Sequence, residues 1–144
     1  MEALNNVLEM WKRDSVVDRT EPGRELINIP LLHSKYVNIL AQSRVHARKY
    51  ENDFYKMRRL KWEYYTGKLS HEQLTKHGWE PFPFTLKSEI DTYFNSDDDL
   101  IEIKNKKTEY DEIVDLCERI LKELNSRTFQ IRGFIEYEKF INGN

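Results

Sequence analysis

From Pro22 to Tyr65 the chain contains no helix stop except Pro30. Thr20-Glu-Pro-Gly reads as a turn followed by a helix start, with Pro22 suited to the first helical turn. Gly67 is the first residue able to end that helix. A stretch of this length with one interior proline predicts a long central helix, kinked or divided at Pro30. The rest of the sequence agrees. Only five Gly and four Pro occur in 144 residues, and one third of the residues are charged. Sheet proteins need more turn residues than that, so the expected class is all-α.

Other elements are set by spacing. Leu4, Val7, Leu8 and Trp11 define a short amphipathic N-terminal helix ending near Asp14. Ser70 with Gln73 forms a capping box for a short helix closed by Gly78. The run Trp79-Glu-Pro-Phe-Pro-Phe reads as extended, because a residue preceding proline is pushed out of the α region. Thr85 is suited to cap a helix over residues 86–94. Asp97, Asp98 and Asp99 form an acidic knot at a helix N-terminus, where negative charge is favoured. Leu100, Ile101 and Ile103 leave a short strand competing with helix. Tyr110, Ile113, Val114, Cys117, Ile120, Leu121 and Leu124 keep a helical stripe for four turns. Ser126 is read as beginning a last helix with Phe129, Phe134, Ile135, Phe140 and Ile141. The expected organisation is a basic helical region at 1–68, a connector with short helices at 69–107, and a C-terminal helical region at 108–144.

The charge is unevenly placed. Residues 1–68 hold 13 Lys and Arg against 9 Asp and Glu, whereas residues 69–144 hold 10 against 16. Within the first part, residues 44–61 carry seven basic and two acidic side chains. On a helical wheel Ala47, Tyr50, Phe54 and Met57 form a seam able to pack on another helix. Arg44, Arg48, Tyr55, Arg59 and marginally Lys56 face away from it, with Arg58 in the same run. A solvated helix face gives the same pattern. Against it stand the scarcity of i,i+4 counter-charges, the aromatic Tyr55 among the arginines, and Trp62 and Tyr65 just beyond. Cations neutralising phosphates beside aromatic faces that stack on bases are what single-stranded nucleic acid requires. The acidic C-terminal half suits subunit packing or basic patches on partner proteins.

Other chemistries find little support. Cys117 is the one cysteine; it excludes an internal disulfide framework, fits a reducing cytosol, and lies mid-stripe as a core residue. His33, His46, His71 and His77 lack partners at metal-ligand spacing. The Asp97–Asp99 knot lacks the alternation and glycine of a calcium loop. With no phosphate-binding glycine loop and no nucleophile elbow, neither an enzyme nor a cofactor is expected. No apolar run approaches the roughly 20 residues of a membrane span, and the N-terminus lacks the basic-then-apolar order of a signal peptide.

The segment Arg59-Leu-Lys61-Trp-Glu-Tyr64-Tyr65-Thr66-Gly67 resembles the basic-x-basic, acidic-Tyr-Tyr-Ser/Thr-Gly signature of the UvsY family, recombination mediators of large tailed myoviruses. Ser34-Lys35-Tyr36-Val37-Asn38, Lys87-Ser88-Glu89, Tyr110 with Asp115-Leu116-Cys117, and Ser126-Arg127 with Phe129 and Ile131 resemble further family segments in the same order. The resemblance implies an all-helical protein in a ring of six or seven subunits that binds single-stranded DNA. Such a protein helps a phage RecA-like recombinase displace the phage single-strand-binding protein in the cytoplasm of the infected host. It implies DNA binding by Arg59 and Lys61 and assembly through residues 108–141, hence through Ile113, Cys117, Ile120, Leu121, Leu124, Phe129, Phe134 and Phe140. On pattern alone, the same stripe folding back as a monomeric bundle is equally open. Residues 69–84 are longer than the family pattern. Arg59 and Lys61 also lie about 200° apart on the wheel, so one face cannot present both. The competing reading is a helical scaffold or adaptor whose basic face meets an acidic protein.

Overall fold

The computed structural model describes residues 1–83 and 86–143. Among these the chain forms α1 (Glu2–Asp14), α2 (Pro22–Tyr65), α3 (His71–His77), a 3₁₀ turn (Lys87–Glu89), α4 (Ile90–Ser96) and α5 (Asp98–Ile141). No strand occurs among the described residues, and the all-α expectation holds. Neither long helix breaks where the sequence suggested. Pro30 lies inside α2, which continues past it, although proline in a helix interior costs about 3 kcal/mol. Burial of Leu32, Tyr36 and Leu40 in the next turns opposes the break. Ser126 starts no helix. It lies within α5, and its hydroxyl donates to the Lys122 carbonyl one turn back. Residues 100–103 are helical, because the adjacent Asp97 caps α5: its Oδ1 accepts the Leu100 N–H at 3.0 Å. Thr85, expected to cap α4, lies outside the described residues, as does Phe84 of the proline-rich run.

The chain divides into two compact units, Met1–His46 with Glu109–Asn144, and Ala47–Thr108. In the first, Val7 of α1, Leu32, Tyr36 and Leu40 of α2, and Ile113, Cys117, Ile120 and Leu124 of α5 form one buried cluster. The 4-4 and 4-3-4 spacings place one row per helix on the shared axis. Burial pushes the Cys117 thiol up to about 11, so it stays protonated. Ile113, Cys117, Ile120 and Leu124, expected at the contact between copies, are here enclosed in the core of their own chain. A side chain enclosed within its own chain has no surface left for a second one. Leu121 is half-buried against the same cluster, and Phe134 is half-buried beside Ile131. Phe129 and Phe140 are exposed.

Helix α1 is clamped at both ends by α5. Glu109 accepts the Leu4 N–H at 3.1 Å and pairs with the terminal amine at 3.3 Å. Buried Arg127 donates to the Asp14 and Ser15 carbonyls at 3.0 and 3.2 Å, with its guanidinium 5.5 Å from the Trp11 ring. An anion thus meets the helix N-terminus and a cation its C-terminus, each satisfying backbone groups that lack intrahelical partners.

The second unit has few aliphatic core residues and many rings. Gly67 takes the left-handed conformation (φ 72°), and the Lys68 N–H reaches back to the Glu63 carbonyl at 2.8 Å, closing α2. The Ser70–Gln73 capping box and the left-handed Gly78 bound α3 as expected. The next segment lays Trp79 flat against Tyr64 (5.0 Å, 17°) and sets Phe82 edge-on to Tyr65 (4.8 Å, 84°). The Tyr64 hydroxyl donates to the Glu80 carbonyl at 2.7 Å. Residues 69–83, whose purpose the sequence left open, return the chain to the end of α2 and cover it with aromatic rings.

Candidate nucleic-acid interface

The last turns of α2 in the second unit carry two opposite faces. Ala47, Tyr50, Phe54 and Met57 lie on the inner seam, buried or half-buried as the wheel predicts. Outward stand Arg48, Tyr55, Lys56, Arg58 and Arg59, all exposed. Among the described residues no salt bridge holds Arg48, Lys56 or Arg58. Arg59 makes only a loose contact at 3.7 Å with Glu63, one turn on. Net positive charge on this face is therefore left open to an anion.

Tyr55, Arg58, Arg59, Trp62 and Phe94 enclose a cleft of about 270 Å³. Phe94 comes from α4. The Arg58 guanidinium lies 5.3 Å from its ring, held over the aromatic face as a cation–π pair. Lys68 Nζ stands 4.0 Å from the Trp62 ring. Beyond Arg58 and Phe94 a smaller pocket of about 150 Å³ continues past Phe54, Asn95 and Lys104. Two partly exposed rings beside guanidinium and ammonium groups supply both elements of single-strand recognition, planes for bases and charge for phosphates. Trp62 and Phe94 join the expected residues here. The aromatic run after Arg59 pointed to Trp62, whereas nothing in local spacing pointed to Phe94, which arrives from a distant helix.

Lys61 is placed otherwise. Its side chain is 7% exposed against 84% for Arg59. It continues the 47-50-54-57 seam, and its ammonium donates to Asp97 at 3.1 Å and Asp99 at 2.7 Å. Trp79 closes over it at 4.0 Å. Asp97 also accepts the Tyr65 hydroxyl at 2.5 Å. Burial opposes ionisation of Asp97, but the bonds from Tyr65, the Leu100 N–H and Lys61 outweigh it and hold the carboxyl below its ordinary 3.8. Burial and the same Asp97 contact push the Tyr65 hydroxyl far up. Helix α2 stays regular through Tyr65, so Arg59 and Lys61 point to opposite sides of it, one exposed and the other enclosed. Arg44 belongs to the first unit, where it pairs with Glu118 at 2.8 Å.

Comparison with known proteins decides the family. A family model described as "Recombination, repair and ssDNA binding protein UvsY" matches residues 10–144. The chain belongs to the UvsY family. It is thus a member of a family of recombination, repair and single-stranded DNA binding proteins. A curated relative, the recombination protein uvsY of Enterobacteria phage T4, is 23% identical over 140 residues, covering 97% of this chain and 98% of that protein. Crystal structures of the bacteriophage T4 recombination mediator protein UvsY share the fold. One lattice form superposes with a TM-score of 0.79 at 21% identity, covering 96% of each chain. Another gives 0.80 at 20% identity, covering 95% of this chain and 98% of that one. No helix among the described residues is long and apolar enough to cross a membrane.

Proposed function

We propose that this UvsY-family chain is a recombination mediator, acting in the cytoplasm of the infected bacterium by binding and not by catalysis. Copies of the chain hold single-stranded DNA on the outward face of residues 47–68 and help a RecA-like recombinase replace the single-strand-binding protein. The observation that carries the reading is the exposed cleft where Arg58 and Arg59 stand beside Tyr55 and Trp62. Arg48 and Lys56 extend the charge along the same helix face. One such face is a weak site, and joining copies raises affinity through effective concentration without any new contact.

Assembly is supported by apolar side chains exposed in the first unit: Phe129 and Phe140 on α5, and Ile27, Leu31 and Val45 on α2. Burying them between copies removes apolar surface from water at about 25 cal/mol per Å². Arg44, paired with Glu118, contributes charge only once that surface bridge opens.

A salt titration of oligo-dT binding tests the proposal. The unaltered protein should bind with steep salt dependence, and Arg59→Ala should flatten the slope by about 0.7 log units for each phosphate left without its cation. Binding that ignores salt, or ignores Arg59→Ala, refutes this face and favours an adaptor for an acidic protein. Light scattering of Phe129→Asp/Phe140→Asp should report a smaller particle. An undiminished particle removes these two residues from the interface.

A further inference from the structure

We infer that Lys61, the second basic residue of the signature, positions the DNA-binding cleft and does not itself touch DNA. The inference rests on the proposed DNA-binding face and assigns Lys61 a different part in it. Its ammonium is enclosed by Asp97, Asp99 and the Trp79 ring, at 3.1, 2.7 and 4.0 Å. A phosphate would have to displace two carboxylates, one of them itself buried, and then sit beside whatever carboxylate remained. Neighbouring Arg59, 84% exposed and held only by its loose contact with Glu63, offers a guanidinium without such a cost.

The lock has a geometric consequence. Asp97 and Asp99 open α5 directly after α4, and Phe94 of α4 supplies the ring under Arg58. Lys61 and Tyr65 of α2 bind Asp97 together. They thereby fix the α4–α5 junction against the end of α2. That junction decides whether Phe94 stands under Arg58 and whether the cleft with Trp62 exists. Residues 69–83 complete the lock by bringing Trp79 over Lys61, which keeps water from the ion pair. A signature with two basic residues thus divides the work: Arg59 meets the strand, and Lys61 holds the surface on which it is met.

The test compares Lys61→Ala, the charge-balanced Lys61→Met/Asp97→Asn and Arg59→Ala. Each is titrated with fluorescein-labelled oligo-dT over a range of salt, in the cold, with helicity monitored by circular dichroism. Lys61→Ala should keep its helicity and lose about tenfold in affinity, on the order of one base stack, at an unchanged salt slope. Lys61→Met/Asp97→Asn, which removes the ion pair without stranding a charge, should bind within about threefold of the unaltered protein, again at an unchanged slope. A slope flattened in this double variant as in Arg59→Ala shows Lys61 on a phosphate and overturns the inference. Unchanged affinity in folded Lys61→Ala also overturns it, because a purely structural residue would shift melting alone. If Lys61→Ala fails to fold, the double variant's slope decides. Failure of the unaltered protein to bind, or of Arg59→Ala to alter the slope, brings down the DNA-binding face itself; a flattened slope in both altered forms brings down only the lock.

Discussion

Each unit contains an aspartate that accepts from a lysine and a tyrosine, and the two constellations differ chiefly in water. In the first, Asp14 accepts Lys35 Nζ at 2.6 Å and the Tyr36 hydroxyl at 2.8 Å. In the second, Asp97 accepts Lys61 Nζ at 3.1 Å and the Tyr65 hydroxyl at 2.5 Å. The exposures are 39% for Lys35 and 22% for Asp14, against 7% for Lys61 and 3% for Asp97. An ion pair in contact with water adds little, since solvent already satisfies both charges. A buried pair is costly to break: intact it is tolerated, and with one partner removed it leaves an enclosed charge short of the compensation it had. The first unit can treat its pair as an accessory because an aliphatic cluster holds it together. The second, with its rings and open cleft, uses the pair as a fastening.

Removing each aspartate in turn is the sharpest way to break the comparison. Asp97→Ala should cost about 3–5 kcal/mol in urea unfolding, because Lys61 is then buried against Asp99 alone, and it also deletes the cap on Leu100. Asp14→Ala should cost about 1–3 kcal/mol, mostly from the Tyr36 hydroxyl left without its acceptor. Oligo-dT affinity should fall in the first variant and stay level in the second. Equal losses from the two would erase the distinction drawn from burial.

The units also differ in how far the sequence revealed them. The 113-117-120-124 row was visible as a helical stripe, because burial along a helix repeats with the helix, whereas the 32-36-40 row of α2 was not picked out. What the stripe at 113–124 packs against was not visible, since periodicity shows that a face is buried and not by which chain. The capping box at Ser70 and the stops at Gly67 and Gly78 were readable for the same local reason. The cleft was half readable: the cationic face came from the wheel, whereas Phe94 under Arg58 depends on a contact across 36 positions. Lys61 is the instructive case. The wheel placed it on the inner seam, and the signature suggested DNA. In the fold Asp97 and Asp99 close on it, and no local pattern encodes that approach.

Acid should expose a shared property of the two constellations. Both Asp97 and Asp14 lie below the ordinary 3.8, burial opposing ionisation in each and hydrogen bonds from the lysine and tyrosine partners outweighing it. A carboxyl with a depressed folded value binds its proton less readily folded than unfolded. Its contribution is therefore complete above about 3.8 and disappears as pH falls through the depressed value. Thermal melts taken downward from pH 5 should lose stability only below that point, and Asp97→Asn should flatten the loss more than Asp14→Asn. A melting temperature indifferent to pH below 3.8 would contradict both assignments.

The smallest expected effect is Lys35→Ala, and its size carries the comparison. With Lys35 more than a third exposed, screening by water limits its bond to Asp14 to at most about 1 kcal/mol. Asp14 keeps the Tyr36 hydroxyl, so no buried group is orphaned. Salt provides the control: screening at high ionic strength weakens exposed pairs and leaves enclosed ones nearly untouched. Unfolding in urea at low and high salt should therefore bring the unaltered protein and Lys35→Ala together as salt rises. The gap between the unaltered protein and Lys61→Ala should persist. If salt closed both gaps alike, Lys61 would be in contact with solvent, and its enclosure by Asp97, Asp99 and Trp79 would not describe the molecule in solution.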